Sequence, residues 1–270
     1  MERQRLAALE PDNPARGNDL ATAQDRLASV RLEQGDMAAA LAAYEALLAT
    51  RTGLLKEAPD DANLRWGLST TQRKIGEVKQ AEGDLAGALA GYESERAILD
   101  RLAEENAGNA GLRRALAATY DRIGDVKRAQ GDFAAALAGY HEGLAARERV
   151  AAQAPDNPEI TWELATAQER IGDLQRTQGD LAAALTSYHA LLASRAALAK
   201  TKPDDVQPQR DLAAAHARLA DTYAGLSARD QARDEATAAR AIVLELLKGK
   251  PDDAALQSDL DWLDALSAGL

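Results

Sequence analysis

Leucine or isoleucine recurs at two positions that lie seven residues apart, and the pair returns every 48 residues along the chain. The two columns are Leu20, Leu68, Leu116, Leu164, Leu212 and Leu260, then Leu27, Ile75, Ile123, Ile171 and Leu219. A spacing of seven is two helical turns, so both positions lie on one face of a helix. The pattern therefore predicts a long amphipathic helix in every 48-residue unit.

A second helix is predicted in each unit from the residues that separate it from the first. A glycine and an aspartate follow the first helix in four units, at Gly35–Asp36, Gly83–Asp84, Gly131–Asp132 and Gly179–Asp180. Glycine can adopt the left-handed conformation that ends a helix, and aspartate caps the helix that follows. Alanine and tyrosine come next at helical spacing, as at Ala40 and Tyr44. Each unit is therefore predicted to be a helical hairpin.

Proline with aspartate or asparagine marks five of the six boundaries between units, and Ala107-Gly108-Asn109 marks the other. Proline ends one helix, and the polar residue caps the next. The boundaries define repeats 11–58, 59–106, 107–154, 155–202 and 203–250, with 1–10 as the tail of a partial helix and 251–270 as a C-terminal capping helix. The repeat 203–250 is degenerate, since Ser227 and Ala228 replace the Gly-Asp turn. A hairpin alone cannot bury its apolar face, so we expect the hairpins to stack in one array.

The small and aromatic positions of these hairpins resemble the tetratricopeptide repeat. In the second repeat the matching residues are Gly76, Gly83, Asp84, Leu85, Ala88 and Tyr92. The resemblance implies an all-α fold, a right-handed superhelical α-solenoid of antiparallel helix pairs, whose concave groove binds a peptide or a partner protein. The unit is longer than the family's usual length of about 34 residues, and this long variety resembles tandem arrays in bacterial proteins.

The composition narrows the class of partner. The formal net charge is −11, so the bulk charge does not favour nucleic acid or anionic lipid as a partner. Cysteine is absent, and no apolar run approaches the ~18 residues of a membrane span. The sequence contains no combination of residues typical of a catalytic nucleophile, an acid–base pair or a set of metal ligands. We expect His141 and His189 to lie at the surface. We therefore expect a non-enzymatic, cytoplasmic scaffold without a cofactor.

A solvent-facing stripe on the first helices supplies the candidate binding residues. Counting about 100° per residue from the leucine column places ten side chains opposite the core: Trp66, Arg73, Glu77, Asp121, Asp125, Arg128, Trp162, Glu169, Asp173 and Arg176. In the tetratricopeptide family this face lines the peptide groove, so the resemblance implies the same role here. The two tryptophans are candidate anchors, and packing against a neighbouring unit is the alternative interpretation.

Two columns of charge accompany the stripe. Basic residues stand at Arg26, Lys74, Arg122, Arg170 and Arg218, and acidic residues follow three positions later at Glu77, Asp125, Asp173 and Asp221. They predict either a ladder of salt bridges along and between first helices or a groove that selects a charged peptide. Because the acidic column would repel a terminal carboxylate, a basic or mixed-charge partner is expected.

Two further hypotheses concern the chain as a whole. The first and last segments are partly complementary, which allows a homo-oligomer that assembles head to tail through the array ends. The chain could equally serve as the sensor or regulatory arm of a larger multidomain bacterial enzyme, as the resemblance to tandem arrays implies.

Overall fold

The computed structural model describes residues 14–269, and over that range it contains eleven α-helices and no strand. The helices are α1 (Pro14–Glu33), α2 (Met37–Glu57), α3 (Ala62–Ala81), α4 (Leu85–Glu105), α5 (Ala110–Ala129), α6 (Phe133–Ala151), α7 (Pro158–Thr177), α8 (Leu181–Thr201), α9 (Val206–Gly225), α10 (Arg229–Gly249) and α11 (Ala254–Ala268). The predicted all-α class of paired helices is confirmed. The predicted tail at 1–10 lies outside the described residues.

The odd-numbered helices are the predicted first helices, and they begin at residues 14, 62, 110, 158, 206 and 254, always 48 residues apart. The four turn glycines adopt the left-handed conformation, with φ between 75° and 82°. Asp36, Asp84 and Asp180 then each accept a hydrogen bond from the backbone N–H three residues on. In the degenerate repeat Ser227 takes the left-handed place with φ 61°, and no side chain caps α10.

Small residues allow the two helices of a hairpin to approach closely. A Cβ atom at Gly76 would lie 2.7 Å from a ring carbon of Tyr92, so the tyrosine fills the space that the glycine leaves. A Cβ atom at Gly91 would lie 2.9 Å from the carbonyl oxygen of Gln72 and 3.0 Å from the backbone of Gly76. Tyr92 is buried, and its hydroxyl donates to Oε1 of Gln80 at 2.8 Å.

Gly91→Ala is expected to lower the free energy of unfolding by about 1–3 kcal/mol, because the new methyl group would overlap backbone atoms of α3. Gly53→Ala on α2 is the matched control. No atom lies within 4 Å of its new Cβ, and alanine is the better helix former, so stability should rise by about 0.5–1 kcal/mol. Urea denaturation followed by circular dichroism measures both variants. Equal effects at the two positions would contradict the close helix approach.

The chain divides into two compact units, residues 1–139 and residues 140–270. In the first unit, Tyr44 and Leu47 of α2 share an apolar cluster with Ile75 and Val78 of α3. The next pair repeats the arrangement, since Leu85, Leu89 and Tyr92 of α4 cluster with Ile123 and Val126 of α5. In both cases the second helix of a hairpin packs against the first helix of the next hairpin.

The second unit uses the same packing. Tyr188 and Leu191 of α8 cluster with Leu219 of α9, and Val243 of α10 clusters with Leu256 and Leu263 of α11. Helices α8 and α10 are therefore buried on two sides, against their own first helices and against the next ones. The first helices keep one side free, and that side carries the predicted stripe.

Candidate functional site

The ten predicted side chains lie on three first helices. The first unit holds six of them: Trp66, Arg73 and Glu77 on α3, then Asp121, Asp125 and Arg128 on α5. The second unit holds four on α7: Trp162, Glu169, Asp173 and Arg176. The two sets are described separately below.

A groove of about 700 Å³ crosses the first helices of the second unit. We call it the α7–α9–α11 groove after the three helices that supply most of its lining, to which α10 adds Val243. Its carboxylates are Glu169, Asp173, Asp211, Asp221 and Asp259, and its guanidinium groups are Arg176, Arg210 and Arg218. Between these charges, Ala213, Ala214 and Ala217 of α9 leave room above the helix backbone. Three of the four residues predicted on α7 are therefore brought together, whereas Trp162 is exposed and does not line this groove.

Ion pairs connect the neighbouring first helices across the groove. Arg218 of α9 donates from Nη2 to Oε1 of Glu169 at 2.5 Å and from Nε to Oδ1 of Asp173 at 3.3 Å, so it binds two positions of α7. Arg176 of α7 pairs with Asp221 of α9 in the opposite direction. The contact between Arg218 and Asp173 joins the two predicted charge columns, whereas Glu169 and Arg176 lie outside those columns. All five residues line the groove, so these salt bridges and the groove share one surface.

Two side chains from α8 fix the α7 carboxylates from the buried side. Arg195 is buried, and its Nη1 and Nη2 donate to Oδ2 of Asp211 at 3.0 Å and to Oε2 of Glu169 at 3.2 Å. The hydroxyl of Tyr188 donates to Oδ1 of Asp173 at 2.6 Å. Burial, and then this bond to Asp173, raise the pKa of Tyr188 well above its ordinary range, so the hydroxyl stays a donor.

Trp262 on α11 completes the groove and was not among the predicted residues. Its indole is about half exposed and lines the groove beside Ala214 and Leu263. Trp262 lies 96 residues, or two repeats, beyond Thr166, which is on α7 between the stripe residues Trp162 and Glu169. Extending the repeat register through the last helix would therefore have identified Trp262. The sequence analysis assigned that helix only a capping role.

The first unit holds a smaller charged cluster. Arg73 donates from Nη1 to Oε1 of Glu77 at 2.6 Å within α3. Arg122 of α5 approaches the same Oε1 with its Nε at 3.9 Å. Glu95 of α4 lies between these arginines, with Oε1 3.8 Å from Nε of Arg73 and Oε2 3.7 Å from Nη1 of Arg122. Glu95 was not among the predicted site residues, because all of these lie on first helices.

Glu95 is 4% exposed, and its Oε2 has no hydrogen-bond partner in the described part of the chain. Burial raises the pKa of Glu95 to about 7, although Arg122 and Arg73 act in the other direction. The pKa of Glu77 changes in the opposite sense. Burial would raise it, but Arg73 and Lys74 outweigh burial and hold the pKa below its ordinary value. The charged form of Glu77 is therefore stabilised by its basic neighbours, whereas the charged form of Glu95 is destabilised by burial.

The pockets of the first unit lie on either side of Trp66. One, of about 90 Å³, is lined by Trp66, Arg73, Glu95 and Arg122 among others, and the other, of about 550 Å³, includes Asn63 and Trp66. The indole of Trp66 remains exposed. Neither pocket is lined by the candidates on α5, which are Asp121, Asp125 and Arg128. The α7–α9–α11 groove, at about 700 Å³, is larger than either of these two pockets.

No protein-family model matches the sequence, and no curated protein matches it either. Solved structures match the fold. BtubC from P. vanneervenii is 20% identical with a TM-score of 0.61, and the match covers 91% of this chain and 87% of BtubC. A putative kinesin light chain from P. anserina, described as having nearly identical TPR-like repeats, is 16% identical with a TM-score of 0.57, over 88% of this chain and 99% of the other.

The chain has a tetratricopeptide-like fold. The nuclear import adaptor Nro1 from S. pombe gives a third match, 13% identical with a TM-score of 0.53, covering 93% of this chain and 90% of Nro1. The resemblance predicted from the glycine, alanine and tyrosine columns is thus confirmed at the level of the fold. In this tetratricopeptide-like chain, no helix between residues 14 and 269 is long and apolar enough to cross a membrane.

Proposed function

We propose that the chain is a protein-interaction scaffold that binds a basic or mixed-charge segment of a partner protein in the α7–α9–α11 groove. The carrying observation is the combination of a half-exposed tryptophan with five carboxylates and only three guanidinium groups, which gives the lining a formal charge of −2. The description of Nro1, a protein of similar fold, as a nuclear import adaptor agrees with a role in protein recognition.

The apolar part of the groove accommodates one side chain of the partner. Trp262 faces a row of alanines on α9 that includes Ala214 and Ala217, so an aliphatic or aromatic side chain can contact both. Tryptophan supplies a large contact area at a low entropy cost, which is why it is frequent among residues that dominate binding energy. Trp262 is accordingly the anchor in this proposal.

The charged part distinguishes two kinds of carboxylate. Glu169 and Asp211 are fixed by the buried Arg195 and serve the fold. Asp221 and Asp259 pair instead with Arg176 and Arg210 near the surface. Exposed ion pairs contribute at most about 1 kcal/mol, so these two aspartates can exchange an internal arginine for a lysine or arginine of the partner at little cost.

Two fluorescein-labelled peptides of equal length test the proposal by fluorescence anisotropy, one alternating lysine with leucine and the other alternating glutamate with leucine. The lysine peptide should bind, and Trp262→Ala should weaken its affinity by about tenfold or more, since an anchor tryptophan contributes at least about 1–2 kcal/mol. Trp66→Ala is the matched control, because this indole is also exposed but lies in the first unit. It should change the affinity by less than about twofold.

A second pair of variants tests the charges. Asp221→Asn with Asp259→Asn should reduce the affinity and flatten its dependence on salt, because exposed charges are screened within about 10 Å at moderate ionic strength. Preferential binding of the glutamate peptide would reject the proposed partner charge. Equal effects of Trp262→Ala and Trp66→Ala would reject the placement of the site.

A further inference from the structure

Helix α1 exposes an apolar stripe that the equivalent helices bury. Leu27 is 50% exposed and Val30 is 47% exposed. One repeat further along, the equivalent Ile75 and Val78 are 5% and 1% exposed, and Leu219 of α9, in the register of Leu27, is fully buried. The residue types are the same, so the difference lies in what covers them.

The cover is the same wherever the structure describes it. Ile75 and Val78 share a cluster with α2, in which Leu41 and Tyr44 take part. Ile123 and Val126 share one with Leu85, Leu89 and Tyr92 of α4. In every case the cover is the N-terminal half of a second helix with leucine, alanine and tyrosine on one side. The surface formed by Leu27 and Val30 has the shape and chemistry that receive such a helix.

This surface is separate from the contact that α1 makes within its own hairpin. Ala21 and Ala28 are buried in the cluster that α1 shares with α2, and Leu32 packs against the same cluster. Leu27 and Val30 lie on another side of α1 and remain exposed. We call them the α1 face. Two large aliphatic side chains, half exposed and one turn apart, form a contiguous apolar patch.

We propose that the α1 face is a docking site for an amphipathic helix of another polypeptide, with the leucine–alanine–tyrosine side that α4 presents to α5. The repeated internal interface specifies this occupant, because the same residues at the same register receive the same kind of helix elsewhere in the chain. The proposal is independent of the α7–α9–α11 groove, which lies in the other unit.

A second copy of the chain is the less suitable occupant. Helices α2, α4, α8 and α10 already use their apolar sides against the first helices that follow them. Supplying any of these helices to another copy would require unstacking a hairpin. Among the exposed residues of α11, Gln257, Ser258 and Asp261 are polar, and Trp262 lines the α7–α9–α11 groove, so this helix offers no leucine–alanine–tyrosine side.

The probe is a fluorescein-labelled peptide with the sequence of residues 84–105, which contains α4 and its aspartate cap, titrated with the full chain by fluorescence anisotropy. We expect saturable binding. The double variant Leu27→Glu, Val30→Glu should weaken it by about tenfold or more, because charges would enter an apolar contact. The control Leu226→Glu introduces the same charge at another exposed leucine, where the second repeat naturally has Glu82, and should leave the affinity unchanged.

Circular dichroism establishes that the variants keep their helices, as expected for side chains that are half exposed. A peptide with Leu85, Leu89 and Tyr92 replaced by serine should not bind. Absence of binding by the original peptide, or equal binding by the double variant, would overturn the proposal. A concentration-dependent dimer in sedimentation that the double variant abolishes would identify a second copy and overturn it as well. Trp262→Ala should bind the peptide normally, so failure of the groove and failure of the α1 face are distinguishable.

Discussion

Glu95→Gln is expected to raise the free energy of unfolding by about 1–3 kcal/mol at about pH 8. The carboxylate of Glu95 is buried, and Arg73 and Arg122 approach it only to 3.8 and 3.7 Å, beyond hydrogen-bond distance. Its Oε2 has no hydrogen-bond partner among the described residues. The two arginines therefore do not offset the cost of removing this charge from water, and a neutral amide of the same size avoids that cost.

The expected gain depends on pH in a defined direction. Burial raises the pKa of Glu95 from 4.5 to about 7 in the folded chain, so the folded state binds more protons than the unfolded state between these two values. The stability that the protonated group contributes is present below pH 4.5 and is lost as the pH rises to about 7. This rise in the pKa of Glu95 corresponds to at most about 3 kcal/mol in the free energy of unfolding. Urea denaturation across this range should show the wild type and Glu95→Gln converging at the acidic end.

Glu77→Gln is the matched control in the same cluster and should have the opposite sign. The pKa of Glu77 is held below its ordinary value, because Arg73 and Lys74 outweigh the effect of burial. Its contribution to stability is therefore present above the unfolded pKa and lost as the pH falls. Glu77→Gln should destabilise the chain at neutral pH. If both variants destabilise equally, the two carboxylates are not in different environments and the argument for Glu95 fails.

Local chemistry explains why the sequence predicted so much of the fold. A turn glycine with positive φ, an aspartate cap and a tyrosine beside a glycine each depend on a few neighbouring residues, and each repeats every 48 residues. Arg218 and Asp173 could also be anticipated, because their columns run along adjacent first helices. These features need no knowledge of which second helix lies nearby.

Contacts between first and second helices could not be predicted in this way. At the position of Glu95 the first and fourth repeats have Leu47 and Leu191, both buried, and the third repeat has Gly143. One turn later Leu99 replaces the arginine that other repeats have, as at Arg195. In the second repeat the ion pair within the hairpin thus has its basic residue on the first helix and its acidic residue on the second. The acidic residue also lies one turn earlier on the second helix than the arginine of the other repeats.

The reversal is visible in two ion pairs. Arg195 of α8 donates to Glu169 of α7 at 3.2 Å, whereas in the second repeat the first helix supplies Arg73 and the second helix supplies Glu95, 3.8 Å away. Arg73 and Glu169 are at equivalent positions 96 residues apart, whereas Glu95 lies one turn before Leu99, the equivalent of Arg195. Only the geometry of the hairpin shows that the two exchanges compensate each other.

Arg195 provides the second large effect, because it is the buried cation that joins α7, α8 and α9. Its guanidinium group donates to Asp211 at 3.0 Å and to Glu169 at 3.2 Å. Glu169 also forms an ion pair with Arg218, and Asp211 accepts a hydrogen bond from Nε2 of Gln207 at 2.7 Å. Removal of Arg195 would leave both carboxylates ionised and only partly paired at the buried side of the groove.

Arg195→Met is therefore expected to lower the free energy of unfolding by about 3–4 kcal/mol, the lower part of the range for breaking a buried ion pair from one side. Methionine keeps much of the length and apolar volume of the side chain, so the effect measures the lost charge more than a cavity. Arg240→Met is the matched control, since Arg240 also joins a second helix to the following first helix, with its Nε 2.6 Å from Oδ1 of Asp264, but both side chains are exposed. It should change stability little, because exposed pairs are well solvated when separated. Similar losses in urea denaturation for both variants would show that burial does not set the strength of these contacts.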